Sequence, residues 1–260
     1  MLSAPELRRR RRDVGPAGVR AEQRPAFYAL EAGGWRDYVT LLHPPYTLWH
    51  LSYVVIGAAL APTLPVERLL WGLAAFFLAL GVGAHALDEL NGRPLRTAIP
   101  DRILVALAAA SIGGAAVIGL AAAFAWTPLL LPFVAFGTFI VVAYNLELFG
   151  GRLHSDLWFA LAWGAFPVLT AYVGAAETVR PEILLAATFA AFLSLAQRHL
   201  STQVRTVRRR TDRVSGAVTF TDGHEEPITR ESLLRAPEAA LHALAWAIVA
   251  LALSLLLLRI

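Results

Sequence analysis

Residues 103–125 read ILVALAAASIGGAAVIGLAAAFA, 23 positions without a charge, set between Asp101-Arg102 and Trp126-Thr127-Pro128. At 1.5 Å per residue such a run is long enough to cross the roughly 30 Å hydrocarbon core of a bilayer. It is apolar on every side, so no face is left for water. Its alanines, Ser111 and Gly113-Gly114 let neighbouring helices approach closely where apolar burial supplies no drive. Working outward, comparable runs lie near 46–64, 69–90, 128–148, 157–176, 182–200 and 237–258. The expectation is an all-α, polytopic transmembrane helical bundle of about seven spans, occupying residues 46–260.

Composition agrees. Of 260 residues, 57% are hydrophobic and 16% charged, with a mean hydropathy of +0.56. A single water-soluble core is excluded. There is no cysteine, which removes disulfides, iron–sulfur clusters, thiolate zinc and a cysteine nucleophile. All 23 basic residues are arginine, so Schiff-base chemistry and a P-loop lysine are excluded too.

No apolar run precedes Tyr46, so the N-terminus does not read as a cleavable signal. Residues 1–45 read as a cytoplasmic basic tail, Arg8 to Arg12, followed by an interfacial helix over Arg24 to Leu42 that turns inward at Pro44-Pro45. The arginine run is read as a retention signal or a contact for anionic lipid headgroups, not a nucleic-acid site. With the N-terminus cytoplasmic, 20 arginines fall inside and only Arg68, Arg180 and Arg259 outside. This integral membrane protein is therefore expected to have its C-terminus outside. The connection at 201–236 is the one long loop, with an extended pair over Val214 to Thr221 and a turn at Asp222-Gly223.

Polar groups within spans are costly, so their position is informative. His85, Asp88 and Glu89 end the second span; Tyr144, Asn145 and Glu147 end the fourth; Arg152, His154 and Asp156 follow it. Gln197, Arg198, His199 and Gln203 end the sixth, and His43 and His50 belong to the first. All share one membrane depth. Spacings of three and four put His85, Asp88 and Glu89 on one helix face, where carboxylate and imidazole could hold a divalent cation. The alternative is that the carboxylates pair with Arg93, Arg96 or Arg198 to seal a helix end. His50, the deeper histidine of the first span, is expected to bond a neighbouring helix. The aromatic residues Phe76, Phe77, Phe124, Trp126, Phe133, Phe136, Phe139, Trp158, Phe159, Trp163 and Phe166 could line a hydrocarbon tunnel, though most are expected to face lipid or neighbouring helices.

Over about residues 40–200 the order of segments resembles the UbiA superfamily of intramembrane prenyltransferases. The matching stretches are His43-Pro44-Pro45-Tyr46, then Ala84-His85-Ala86-Leu87-Asp88 followed by Gly92-Arg93-Pro94, then Tyr144-Asn145 with Gly150-Gly151-Arg152, and finally Gly164-Ala165-Phe166-Pro167-Val168. In that superfamily two Asp-rich motifs hold magnesium on a prenyl diphosphate. Here the first motif keeps Asp88 alone, with Glu89 beside it, and Gln197-Arg198-His199 stands where the second belongs. The resemblance implies a membrane lipid or isoprenoid substrate. Asp88, Glu89, His154 and Asp156 would then be catalytic, and Arg93, Arg96, Tyr144, Asn145 and Arg152 would bind substrate. A metal site of His85, Asp88, Glu89, Glu147 and His199 would take magnesium for prenyl transfer, or zinc or iron if the histidines are ligands. Changed lipid or quinone chemistry at such a site, and a non-enzymatic lipid-binding or assembly protein, are the alternatives. The oligomeric state is not encoded in any feature of the chain. Protease added to the cytoplasmic side is expected to cut within 201–236; full protection there would reveal a hidden half-span.

Overall fold

The computed structural model describes residues 24–260, so the Arg8 to Arg12 run and Arg20 lie outside the described residues. Among the described residues eight helices follow in order: α1 (Trp35–Leu41), α2 (Pro44–Ala59), α3 (Val66–Leu90), α4 (Asp101–Ala125), α5 (Pro128–Asn145), α6 (Asp156–Ala176), α7 (Pro181–Arg210) and α8 (Arg230–Leu257). The protein is an all-α helical bundle. Six of these helices, α3 to α8, are long and apolar enough to cross a membrane.

The remaining bundle helix, α2, has 16 residues, or about 24 Å of rise. It is shorter than the 46–64 run because Pro62 and Pro65 interrupt the chain; α2 ends at Ala59 and α3 begins at Val66. Its length is not set by lipid. It packs between α6, α8 and α3, with Trp49, Tyr53 and Val54 fully buried. Its polar side chains are satisfied within the helix and across to α7: Trp49 Nε1 donates to Tyr53 Oη at 2.7 Å, and Tyr53 Oη donates to Ala190 O of α7 at 3.1 Å. At the far end Arg259 Nε donates to Ala59 O at 2.8 Å and so caps α2.

Glycine sets the closest approaches. A Cβ at Gly57 would collide with the carbonyl oxygen of Val168 in α6, and one at Gly164 would lie 2.5 Å from Ala190 O in α7. Both neighbours are backbone and cannot rotate away. The Gly164 to Val168 stretch is thus clasped from two sides.

Two expectations are corrected. Only Trp35–Leu41 of the segment 24–42 is helical, because Gly33-Gly34 take positive φ and break the chain before it. The long connection is also shorter than 201–236: α7 continues to Arg210 and α8 starts at Arg230, capped by Thr229 and Ser232. Between them Ala217–Thr219 pairs antiparallel with Glu225–Pro227 around a turn at Asp222-Gly223, where Gly223 has φ 83°. Among the described residues no further helix lies there.

Gly57→Ala and Gly164→Ala are each expected to cost about 1–3 kcal/mol or more by overpacking. Gly113→Ala, which meets open space, should be neutral or slightly stabilising. Thermal unfolding of the three variants in detergent checks this, and equal effects would contradict the packing described.

Candidate functional site

Because consecutive helices alternate in direction, one end of the bundle collects the C-terminal ends of α3, α5 and α7 with the N-terminal ends of α2 and α6. There lies a cavity of about 870 Å³. α2 and the residue before it supply His43, Tyr46 and His50; α3 supplies His85 and Asp88; α5 supplies Tyr144 and Asn145. The next loop and α6 add His154, Phe159 and Trp163, and α7 adds Gln197, Arg198, Ser201, Arg205 and Arg209. Widened π turns at Phe77–Ala84, Ala160–Ala165 and Thr206–Arg210 lie against or within these stretches. Such turns insert an extra residue and re-aim the side chains beyond them.

Local bonds fix the lining. The His43 ring stacks on His85 at 4.0 Å between centroids, and Tyr28 Oη lies 2.9 Å from His43 Nδ1. His85 Nδ1 donates to Gly81 O at 3.1 Å, and His50 Nδ1 donates to Trp163 O of α6 at 2.9 Å, the cross-helix bond expected of a lone intramembrane histidine. His154 Nδ1 donates to Tyr144 O at 3.0 Å while its ring stacks on Tyr144. Arg198 bonds Tyr144 Oη and Asp156, with its guanidinium over the Phe159 ring. Asn91 Nδ2 donates to Asn145 O at 3.1 Å, tying the ends of α3 and α5 together.

The segment Pro25 to Tyr28 roofs the cavity. Arg209 Nε donates to Pro25 O at 3.0 Å, and Arg208, paired with Glu238 at 2.6 Å, holds Arg24 O. Phe27 packs on His242 of α8 at 4.3 Å. Burial, reinforced by Tyr46, pushes the Tyr28 hydroxyl well above the usual phenol range despite Arg209 nearby. Tyr28 therefore stays protonated, with its hydroxyl at hydrogen-bond distance from His43 Nδ1. The other ring nitrogen of His43, Nε2, is buried without a hydrogen-bond partner among the described residues, and so is Gln197 Oε1.

Of the residues singled out from sequence, His85, Asp88, Tyr144, Asn145 and His154 line this cavity, and Asp156 sits outside it, holding Arg198. The others are elsewhere. Glu89 is fully buried and spends its carboxylate on the loop after α3, accepting from Leu95 N at 2.9 Å, Thr97 N at 2.8 Å and Thr97 Oγ1 at 2.9 Å. Arg93 clamps the same loop through Ile99 O at 2.6 Å and pairs with Asp101. Arg96, Glu147, Arg152 and His199 are exposed and do not line the cavity. Arg205, Arg209 and Tyr28 do line it and were not singled out. The spacing Gln197, Ser201, Arg205, Arg209 was the available signal, a row at intervals of four.

Trp163 also lines a second cavity, of about 640 Å³ and almost wholly apolar, formed by Phe76, Leu80, Ile112, Phe133, Val141 and Phe166 among others. A third, about 560 Å³, shares Ala75, Phe76, Gly119, Val134 and Thr170 with it and continues to Trp126 and Arg68 at the opposite end of the bundle. Together they form an apolar trench leading away from the polar cavity. Of the aromatic residues considered for a tunnel, Phe76, Trp126, Phe133, Trp163 and Phe166 line it, whereas Phe77, Phe124 and Phe139 are exposed.

Comparison with family models, with curated proteins and with solved structures finds no match. The fit to a metal is therefore judged on the side chains. A two-magnesium headgroup site needs several carboxylates, and among the described residues the polar cavity is lined by the carboxylate of Asp88 alone, against three arginines. Nor do His85, Asp88, Glu89, Glu147 and His199 converge, since Glu89 is committed to its loop and Glu147 and His199 are exposed. Among the described residues no three His, Asp or Glu side chains form a metal-holding group. These residues do not fit the metal sites the resemblance implies.

The two neighbouring carboxylates are expected to separate on mutation. Glu89→Ala leaves three buried donors without an acceptor and should cost about 3 kcal/mol or more, whereas Asp88→Asn should stay within about 1 kcal/mol. Unfolding midpoints in detergent measure both, and an Asp88→Asn loss as large as that of Glu89→Ala would contradict the division of roles.

Proposed function

We propose that this chain is a UbiA-like intramembrane protein that receives a long-chain lipid of isoprenoid type, its polar head in the arginine- and histidine-lined cavity and its chain along the apolar trench. The observation that carries this reading is Trp163, whose side chain belongs to both spaces. A polar pocket opening beside an apolar channel within a bundle is the shape of an amphiphile. Further support comes from the order of segments: Asp88 and Tyr144-Asn145 line the polar cavity, Trp163 lines both spaces and Phe166 lines the trench.

The physics divides the labour. A lipid chain gains little by leaving the bilayer for a trench of equal polarity, so the trench selects by shape and the head supplies the affinity. If a transfer reaction occurs at the head, Asp88 and the imidazoles of His85 and His154 are the groups placed to accept or return a proton there. Orientation with the roofed end cytoplasmic follows from the arginine distribution, since Arg93, Arg152, Arg205 and Arg209 lie at that end and Arg68 and Arg259 at the other.

Ala75 lies where the two apolar cavities meet. Ala75→Phe is expected to lower the amount of co-purifying long-chain lipid severalfold, measured by mass spectrometry of the intact protein released from detergent, while leaving the fold intact by circular dichroism. An unchanged complement of bound lipid would count against the trench as the seat of the chain.

A further inference from the structure

α7 carries a guanidinium ladder into the polar cavity, and its charge is only partly answered. Arg198 is paired with Asp156. Arg205, exposed at the cavity mouth, donates to Thr202 Oγ1 at 2.9 Å, and Arg209, half-buried beneath the roof, donates to the Pro25 carbonyl at 3.0 Å. Neither forms an ion pair among the described residues. Asp88 is the one carboxylate lining the cavity and feels both arginines, but its side chain accepts no hydrogen bond among the described residues. Positive charge left beside low-dielectric walls is unfavourable unless a mobile anion completes it.

Two further groups point the same way. His43 and Gln197 line the cavity, each more than nine-tenths buried, and His43 Nε2 and Gln197 Oε1 have no partner among the described residues. Tyr28 occupies only the other ring nitrogen of His43. An oxyanion bearing a protonated oxygen both accepts and donates, so it can meet an imidazole nitrogen and an amide oxygen together, and a planar guanidinium matches its geometry with two parallel bonds.

We infer that this cavity binds a phosphate-class oxyanion directly through Arg205 and Arg209, without a divalent cation between ligand and protein. The inference deepens the lipid reading by naming the head group, and it rests on that reading only for the chain attached to it. Where the resembled superfamily sets carboxylates and a metal, this chain sets the arginines themselves.

The test uses the full-length protein in an uncharged detergent with EDTA, titrated calorimetrically with inorganic phosphate and separately with dodecyl phosphate. Saturable binding without metal is expected. Arg205→Gln and Arg209→Gln should each weaken it about 10- to 100-fold, Arg205→Lys should weaken it less, and Arg235→Gln, on the exposed start of α8, should not change it. Because Arg205→Lys keeps the charge, it covers the case in which a glutamine variant fails to fold. Binding that appears only when magnesium is added, no binding of either probe, or binding unmoved by all three changes at 205 and 209 would overturn the inference. If phosphate binds and dodecyl phosphate does not, the arginine site stands and the lipid reading fails. If dodecyl phosphate binds and phosphate competes with it, both stand.

Discussion

A guanidinium cannot shed its charge, so wherever the fold leaves one short of a carboxylate, something else must supply the compensation. That constraint governs the end of the bundle where five helices meet. Arg198 is compensated by Asp156 and spread over aromatic faces; Arg208 is compensated by Glu238. Arg205 and Arg209 are held by neutral oxygens. The roof from Pro25 to Tyr28 is itself hung from one of them, so the closure of the cavity and its unanswered charge are parts of one arrangement.

The rest of the architecture serves to place that end. α2 is short and central because its neighbours, not lipid, set its length, and its polar side chains bond α6 and α7 at fixed depth. Gly57 and Gly164 allow α6 to lie tight between α2 and α7, which brings Trp163 to the junction of the polar and apolar spaces. Glu89 and Asp37 act at a distance from the cavity: both are buried and fold the loop after α3 by accepting from its amides, Asp37 from Ala98 N at 2.9 Å.

The spans were legible in the sequence because hydrocarbon thickness imposes a length on any apolar run that crosses it, and the helices fall on the runs read from composition. The gathering of His43, His50, His85, Asp88, Tyr144 and His154 at one depth was legible for the same reason. Their division of labour was not. Spacing puts Glu89 on the face of His85, but it carries no information about a loop returning six to eight residues later to take the carboxylate. The interfacial helix was overextended because charge and aromatic residues mark an interface without marking where Gly33-Gly34 break the backbone. Arg205 and Arg209 were readable as a face but were counted as orientation charges. Steps of four drift about 40° each on an α-helix, and the π turn over Thr206–Arg210 absorbs the drift that would otherwise carry Arg209 off the row.

The most direct measurement is an experimental density map of the purified protein in a lipid nanodisc, at a resolution that shows the cavity under Pro25 to Tyr28. The account predicts density of oxyanion size between Arg205 and Arg209, continuous with an elongated feature passing Trp163 into the apolar trench. An open, water-filled vestibule with both arginines turned out to the bilayer surface, and the trench closed by packed side chains, would contradict it.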